Sequence, residues 1–116
     1  MKRWLRATAN SWNGLSACAE TEAAFRQEIV LLLVAVPVSF VVAPDAWRRL
    51  LLLAPIFLLL IVELLNTAIE KLSDRLNPDH DPAIGRVKDM GSAAIGLTLA
   101  GTLVVWLVAL AEFFGF

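Results

Sequence analysis

The apolar positions of this chain gather into three long runs, from Ile29 to about Trp47, from Leu50 to about Ile69, and from Met90 to Ala111. A helix needs about 20 mostly apolar residues to cross a hydrocarbon layer of about 30 Å, so the pattern predicts three spanning helices, at 29–47, 50–70 and 90–111. The third carries no charge, whereas the second holds Glu63 and Asn66 inside it. Pro37 predicts a kink in the first run, and Pro44 followed by Asp45 predicts its end. The turn before Arg48 and Arg49 is then so short that the first two helices must be antiparallel neighbours. Residues 1–25 follow another pattern: Trp4, Leu5, Thr8, Trp12 and Leu15 share an arc of about 100° on a helical wheel, with Lys2, Arg3, Arg6, Asn10 and Asn13 opposite. That amphipathic spacing predicts a helix lying in the lipid interface. The 71–89 stretch is polar, and Asn77–Gly85, punctuated by Pro78, Pro82 and Gly85, is the predicted loop.

Composition supports this reading. The 116 residues are 59% hydrophobic, with a mean hydropathy of +0.71, which is outside the ordinary soluble range and within the size of one domain. The expected fold is an all-α membrane protein, a single membrane domain over 1–116 with three spans and a surface helix. The formal net charge is −1, so its distribution is more informative than its sum. Lys2, Arg3, Arg6 and Arg26 precede the first span, Arg48 and Arg49 follow it, and Lys71, Arg75, Arg86 and Lys88 lie between the second and third. The positive-inside rule then puts the N-terminus and the 71–89 segment in the cytoplasm, and the 45–49 turn and the C-terminus outside. A nucleic-acid partner is not expected. Cys18 is the only cysteine, which rules out an intrachain disulfide or a cysteine-built metal site within one subunit and reads as a packing residue. Arg6, Asn10 and Asn13 interrupt any apolar core behind Lys2 and Arg3, so no cleavable signal is expected.

Candidate chemistry enters with the polar residues of the second run. An ionised side chain near the bilayer centre costs roughly 2.5 to 3.5 kcal/mol on insertion scales, so such groups face protein and mark chemistry or transport. On a helix Glu63, Asn66 and Glu70 fall within about 60° of one another, with Asp74 continuing the line. Counted from Leu50, Glu63 lies roughly 20 Å into the hydrocarbon layer and Glu70 close to its cytoplasmic edge. The sequence has no phosphate loop, dinucleotide fingerprint or H-E-x-x-H helix, and its one histidine, His80, reads as a solvent-exposed loop residue. What remains on the cytoplasmic side is Glu22, Glu28, Glu63, Glu70, Asp74, Lys88 and Asp89. Carboxylates with an asparagine suit Mg²⁺, a hard cation that brings phosphate oxygens with it, and Lys88 offers charge to those phosphates. A carboxylate deeper in is desolvated and suits a proton acceptor. A proton-coupled exporter can use the same acids, so the residues alone leave both chemistries open. Small residues recur at Ser92, Gly96 and Ala100, a step that lets a neighbouring helix or a ligand approach closely.

Four separated motifs narrow the choice: Glu22-Ala-Ala-Phe-Arg-Gln-Glu28, Val62-Glu63-Leu-Leu-Asn66-Thr-Ala-Ile-Glu70, Asp74-Arg75 and Lys88-Asp89-Met-Gly-Ser-Ala-Ala94. In this order, and with Ser11-Trp12 near the start, they resemble the prokaryotic integral-membrane diacylglycerol kinase family over nearly the whole chain. The resemblance implies transfer of the ATP γ-phosphate to the primary hydroxyl of diacylglycerol, giving phosphatidic acid, by an inner-membrane homotrimer whose active sites are shared between subunits. Carried over by position, it makes Glu63 the catalytic base with Asn66 beside it, and makes Glu22 and Glu70 the ligands that join Mg²⁺ to ATP. It puts Arg3, Asn10, Asp79, His80, Asp81, Lys88 and Asp89 at the nucleotide, and Ala24, Phe25, Arg26, Gln27, Glu28, Glu63 and Ser92 at the lipid substrate. Asn10 and Asn13 depart from the tyrosine-like and basic residues the pattern leads one to expect. Related small membrane kinases share the carboxylate motifs and act on polyprenol (undecaprenol), so the alcohol remains open between the two lipids.

Overall fold

A computed structural model describes residues 2–76 and 81–116. The described residues form four helices, α1 (Lys2–Thr21), α2 (Ala23–Val42), α3 (Ala46–Leu76) and α4 (Pro82–Phe113). The last three are long and apolar enough to cross a membrane. The molecule measures 52 × 43 × 21 Å, so it is a slab roughly two helix diameters thick. α3 is its centre and packs against both α2 and α4, which barely meet each other.

The helix ends follow from local chemistry and correct the expected boundaries. The first two helices are separated at Glu22, whose backbone is extended (φ −119°, ψ 110°), so the predicted 1–25 helix stops at Thr21 and α2 begins earlier than Ile29. α2 ends at Val42, short of Trp47, because Pro44 drives the preceding Ala43 into an extended conformation (φ −103°, ψ 130°). Asp45 then caps α3: its carboxylate accepts the Arg48 N–H at 2.9 Å and its carbonyl the Arg49 N–H at 3.1 Å. α3 runs on past Glu70 to Leu76, and its 31 residues are about 46 Å long, more than a hydrocarbon layer requires. Of the predicted 77–85 loop, residues 77–80 lie outside the described residues, and 82–85 are helical. Pro82 has no N–H to lose at the first helical position, so α4 starts there, with the Asp81 carboxylate accepting the Ala83 N–H at 2.8 Å and Gly85 inside the helix.

Leu52, Ile56 and Leu59 follow the i, i+4, i+7 spacing of one helical face and are the fully buried core of α3. Pro55, beside them and inside α3, has no N–H to give to the backbone ladder. Near this proline the Trp106 indole N–H of α4 donates to the Leu52 carbonyl at 3.0 Å, tying α4 to α3. Arg49 lies over the Phe40 ring, 4.5 Å from its centroid, joining α3 to α2. Arg48 pairs with Asp45 at 3.1 Å and reaches Glu112 at 3.9 Å, closing the same end onto α4. Large apolar residues such as Leu33, Phe57, Leu97 and Leu107 point outward instead. Helices that are apolar all round require lipid or another protein surface about them.

Candidate active site

The polar residues of α3 form a graded line. Glu63 and Asn66 are buried, at 7% and 6% exposure, Glu70 is half-buried, and Asp74 is exposed. The Asn66 Nδ2 donates to Glu70 Oε1 at 3.1 Å. A carboxylate only accepts hydrogen bonds, so this contact fixes which way the amide faces. Its other end, Oδ1, is buried with no partner among the described residues and sits against Gly91 of α4. A Cβ built on Gly91 would lie 2.0 Å from that oxygen, so any side chain at 91 would displace the Asn66 amide.

The α1–α2 junction brings the second set of acids. Glu22, at the break, and Glu70 both lie close enough for their charges to repel that of Glu63, and Glu63 acts likewise on Glu28. Among the described residues none of Glu22, Glu28, Glu63 and Glu70 takes part in a salt bridge. Lys71 Nζ donates to Thr21 Oγ1 at 2.8 Å, tying the end of α1 to α3. Cys18, buried one turn before, lies against Thr67, and its burial pushes the thiol pKa up, so it packs and stays protonated. Arg26 does not pair with Glu22, four residues before it, because the break at Glu22 removes the shared helical face. The guanidinium instead donates to the carbonyls of Ala19 at 2.6 Å and Glu20 at 3.2 Å, satisfying the end of α1.

The remaining expected positions divide. Lys88 is ion-paired with Asp74 across the α3–α4 hairpin, and Asp89 and Ser92 are exposed on α4. Phe25 is buried, Ala24 and Gln27 are exposed, and the Glu28 Oε2 is buried with no partner among the described residues. Asp81 is engaged as the cap of α4, while Asp79 and His80 lie outside the described residues. Arg3 and Asn10 are exposed on α1, about 22 Å and 12 Å along the helix from Cys18, so a single chain does not bring them to the acids. Ser92, Gly96 and Ala100 are also exposed, and a Cβ on Gly96 would meet nothing within 4 Å; the close approach between α3 and α4 is made at Gly91. Gly91 stood in the fourth motif, but only the facing helix reveals its steric role.

The donor set suits a divalent cation held jointly with phosphate. Among the described residues no group of three or more His, Cys, Asp and Glu side chains is arranged to hold a metal. Mg²⁺, which retains waters and is usually bound by one or two carboxylates plus substrate phosphates, does not need a closed protein cage. A groove of about 690 Å³ beside Val42 and Val108, which Arg48 and Glu112 also line, and an apolar one of about 280 Å³ beside Ile56 and Leu103 include none of these acids.

Fold and site together define a small helical membrane protein with ionisable chemistry built into the depth of one apolar helix. The chain belongs to the prokaryotic diacylglycerol kinase family, whose model matches residues 9–110. It is 42% identical over 113 residues to a diacylglycerol kinase of Escherichia coli, covering 97% of this chain and 93% of the relative. A diacylglycerol kinase of Pseudomonas aeruginosa is 43% identical over 106 residues, 91% of this chain and 86% of its own. One from Helicobacter pylori is 35% identical over 105 residues, 90% of this chain and 82% of its own.

Proposed function

We propose that this protein is an ATP-dependent lipid kinase of the bacterial inner membrane that phosphorylates the primary hydroxyl of diacylglycerol to give phosphatidic acid. The observation that carries the mechanism is the line Glu63–Asn66–Glu70 on one face of α3, in which a buried acid is followed by a buried amide that donates to a half-buried acid nearer water. Glu63 accepts the proton of the lipid alcohol as its oxygen bonds to the γ-phosphorus; the bond from that phosphorus to the β-phosphate oxygen breaks, and ADP leaves. Asn66 holds the Glu70 carboxylate in place through its N–H, and Glu70 with Glu22 binds the metal–nucleotide. Glu70 and Glu22 would hold Mg²⁺, which would supply positive charge to the phosphates during transfer. Lys88 exchanges its Asp74 partner for phosphate, with Asp89 beside it. Arg3, Asn10, Asp79, His80 and Asp81 complete the nucleotide site, and the Ala24–Glu28 stretch with Ser92 receives the lipid. Phosphoryl transfer asks mainly for positioning and charge neutralisation, so few side chains suffice.

The working unit is a homotrimer with shared sites. A slab 21 Å thick cannot enclose a site with its own helices, and its outward apolar residues require cover. α1 lies on the cytoplasmic membrane surface, consistent with its exposed Trp4 and Trp12, and the C-terminus is periplasmic. The test is transfer of radiolabelled γ-phosphate by the purified protein onto a panel of lipid alcohols. Labelled phosphatidic acid is the expected product. Label on a polyprenol alone would reassign the substrate, and no transfer to any alcohol would remove the kinase reading.

A further inference from the structure

The contact between Gly91 and Asn66 joins α4 to the chemistry of α3. An ideal Cβ at Gly91 would lie 2.0 Å from Asn66 Oδ1, 3.2 Å from its Cγ and 3.9 Å from its Cβ, and these three atoms are the nearest to it. Every close conflict at this position is therefore with one side chain, and two of the three atoms belong to its amide. Asn66 is 6% exposed, with its Oδ1 sealed against the α4 backbone and its Nδ2 bonded to Glu70 at 3.1 Å. The rotation that a methyl group at 91 imposes on the amide would withdraw that N–H or turn Oδ1 toward a carboxylate, which cannot donate to it.

We infer that Gly91 is a positioning residue for nucleotide binding, acting by leaving the space that seats the Asn66 amide so that its N–H holds the Glu70 carboxylate. The inference rests on the roles of Asn66 and Glu70 given under Proposed function. It separates two duties of the α4 start: Lys88 supplies charge, and Gly91 supplies room. A hydrogen bond to a charged group supports an affinity change of about tenfold or more when lost. Gly91→Ala should therefore weaken ATP binding about tenfold in the presence of Mg²⁺ and leave the weak binding in EDTA unchanged. General loosening of the helix pair has no reason to act only on the metal-dependent part.

The experiment is a double-mutant cycle on the detergent-solubilised protein, measuring ATP affinity with Mg²⁺ and with EDTA, together with thermal unfolding, for wild type, Gly91→Ala, Asn66→Ala and the double variant. Removing the amide at 66 leaves only the Cβ contact at 3.9 Å, an ordinary separation. The expected result is that Gly91→Ala costs about tenfold alone and less than about twofold on top of Asn66→Ala. Equal losses in both backgrounds would overturn the inference, as would an unchanged Mg²⁺-dependent affinity for Gly91→Ala. If Gly91→Ala does not fold, the double variant should recover the fold, and its failure to do so would also overturn the inference. An Asn66→Ala variant with wild-type affinity would instead bring down the Asn66–Glu70 assignment itself.

Discussion

Asp74 and Lys88 show how differently a pair can weigh on stability and on function. They meet across the hairpin with side-chain exposures of 61% and 38%, so solvent screens their attraction. Asp74→Asn should change the unfolding temperature little, corresponding to no more than about 0.5 kcal/mol. It should alter the dependence of turnover on ATP, because it removes the carboxylate that competes with phosphate for the Lys88 ammonium. Thermal unfolding and ATP titration on the same preparation check both halves; a large loss of stability with unchanged ATP dependence would make the pair a structural tie. At this scale the polar line of the candidate site was legible. Glu63, Asn66 and Glu70 stood out because polar groups inside an apolar run are costly, and the helical period aligned them. The Lys88–Asp74 pair needed the fold of the hairpin, since the two lie on different helices and sequence spacing alone does not bring them together.

Each helix boundary has an identifiable local cause, and the causes explain which boundaries could be read. Pro44 ended α2 as expected but acted one residue early, through Ala43, whereas Pro82 opened a helix where a loop was expected. Proline at a first helical position and proline in a loop are alike in sequence, and the Asp81 cap decides between them. The break at Glu22 carries no proline or glycine, and it redirects Arg26 from Glu22 to the α1 carbonyls. The contact from Trp106 to Leu52 is likewise a consequence of packing, made near Pro55 within α3. Trp106→Phe keeps the ring packing and removes one donor, so it should lower stability by about 1 kcal/mol without affecting turnover. Denaturant unfolding in micelles alongside the kinase assay tests this, and unchanged stability would mean that the bond contributes nothing.

The whole molecule is a thin layer of helices with α3 at its centre, and the three apolar runs were legible because hydropathy and length alone identify them. What could not be read was the cross-helix packing that makes a line of residues into a site: Gly91 against Asn66, and Glu22 brought to Glu63 by the turn after α1. An acid at depth and an acid nearer water stand on one helix, and the proposed function gives proton acceptance to Glu63 and metal–nucleotide binding to Glu70. The most direct measurement compares Glu63→Gln with Glu70→Gln for turnover and for Mg²⁺-dependent ATP affinity. The account predicts that Glu63→Gln loses about 10² to 10⁴ in turnover with affinity preserved, as expected for a missing general base, while Glu70→Gln loses the Mg²⁺-dependent part of ATP binding. Turnover that survives Glu63→Gln, or an ATP affinity whose Mg²⁺ dependence is untouched by Glu70→Gln, would contradict it.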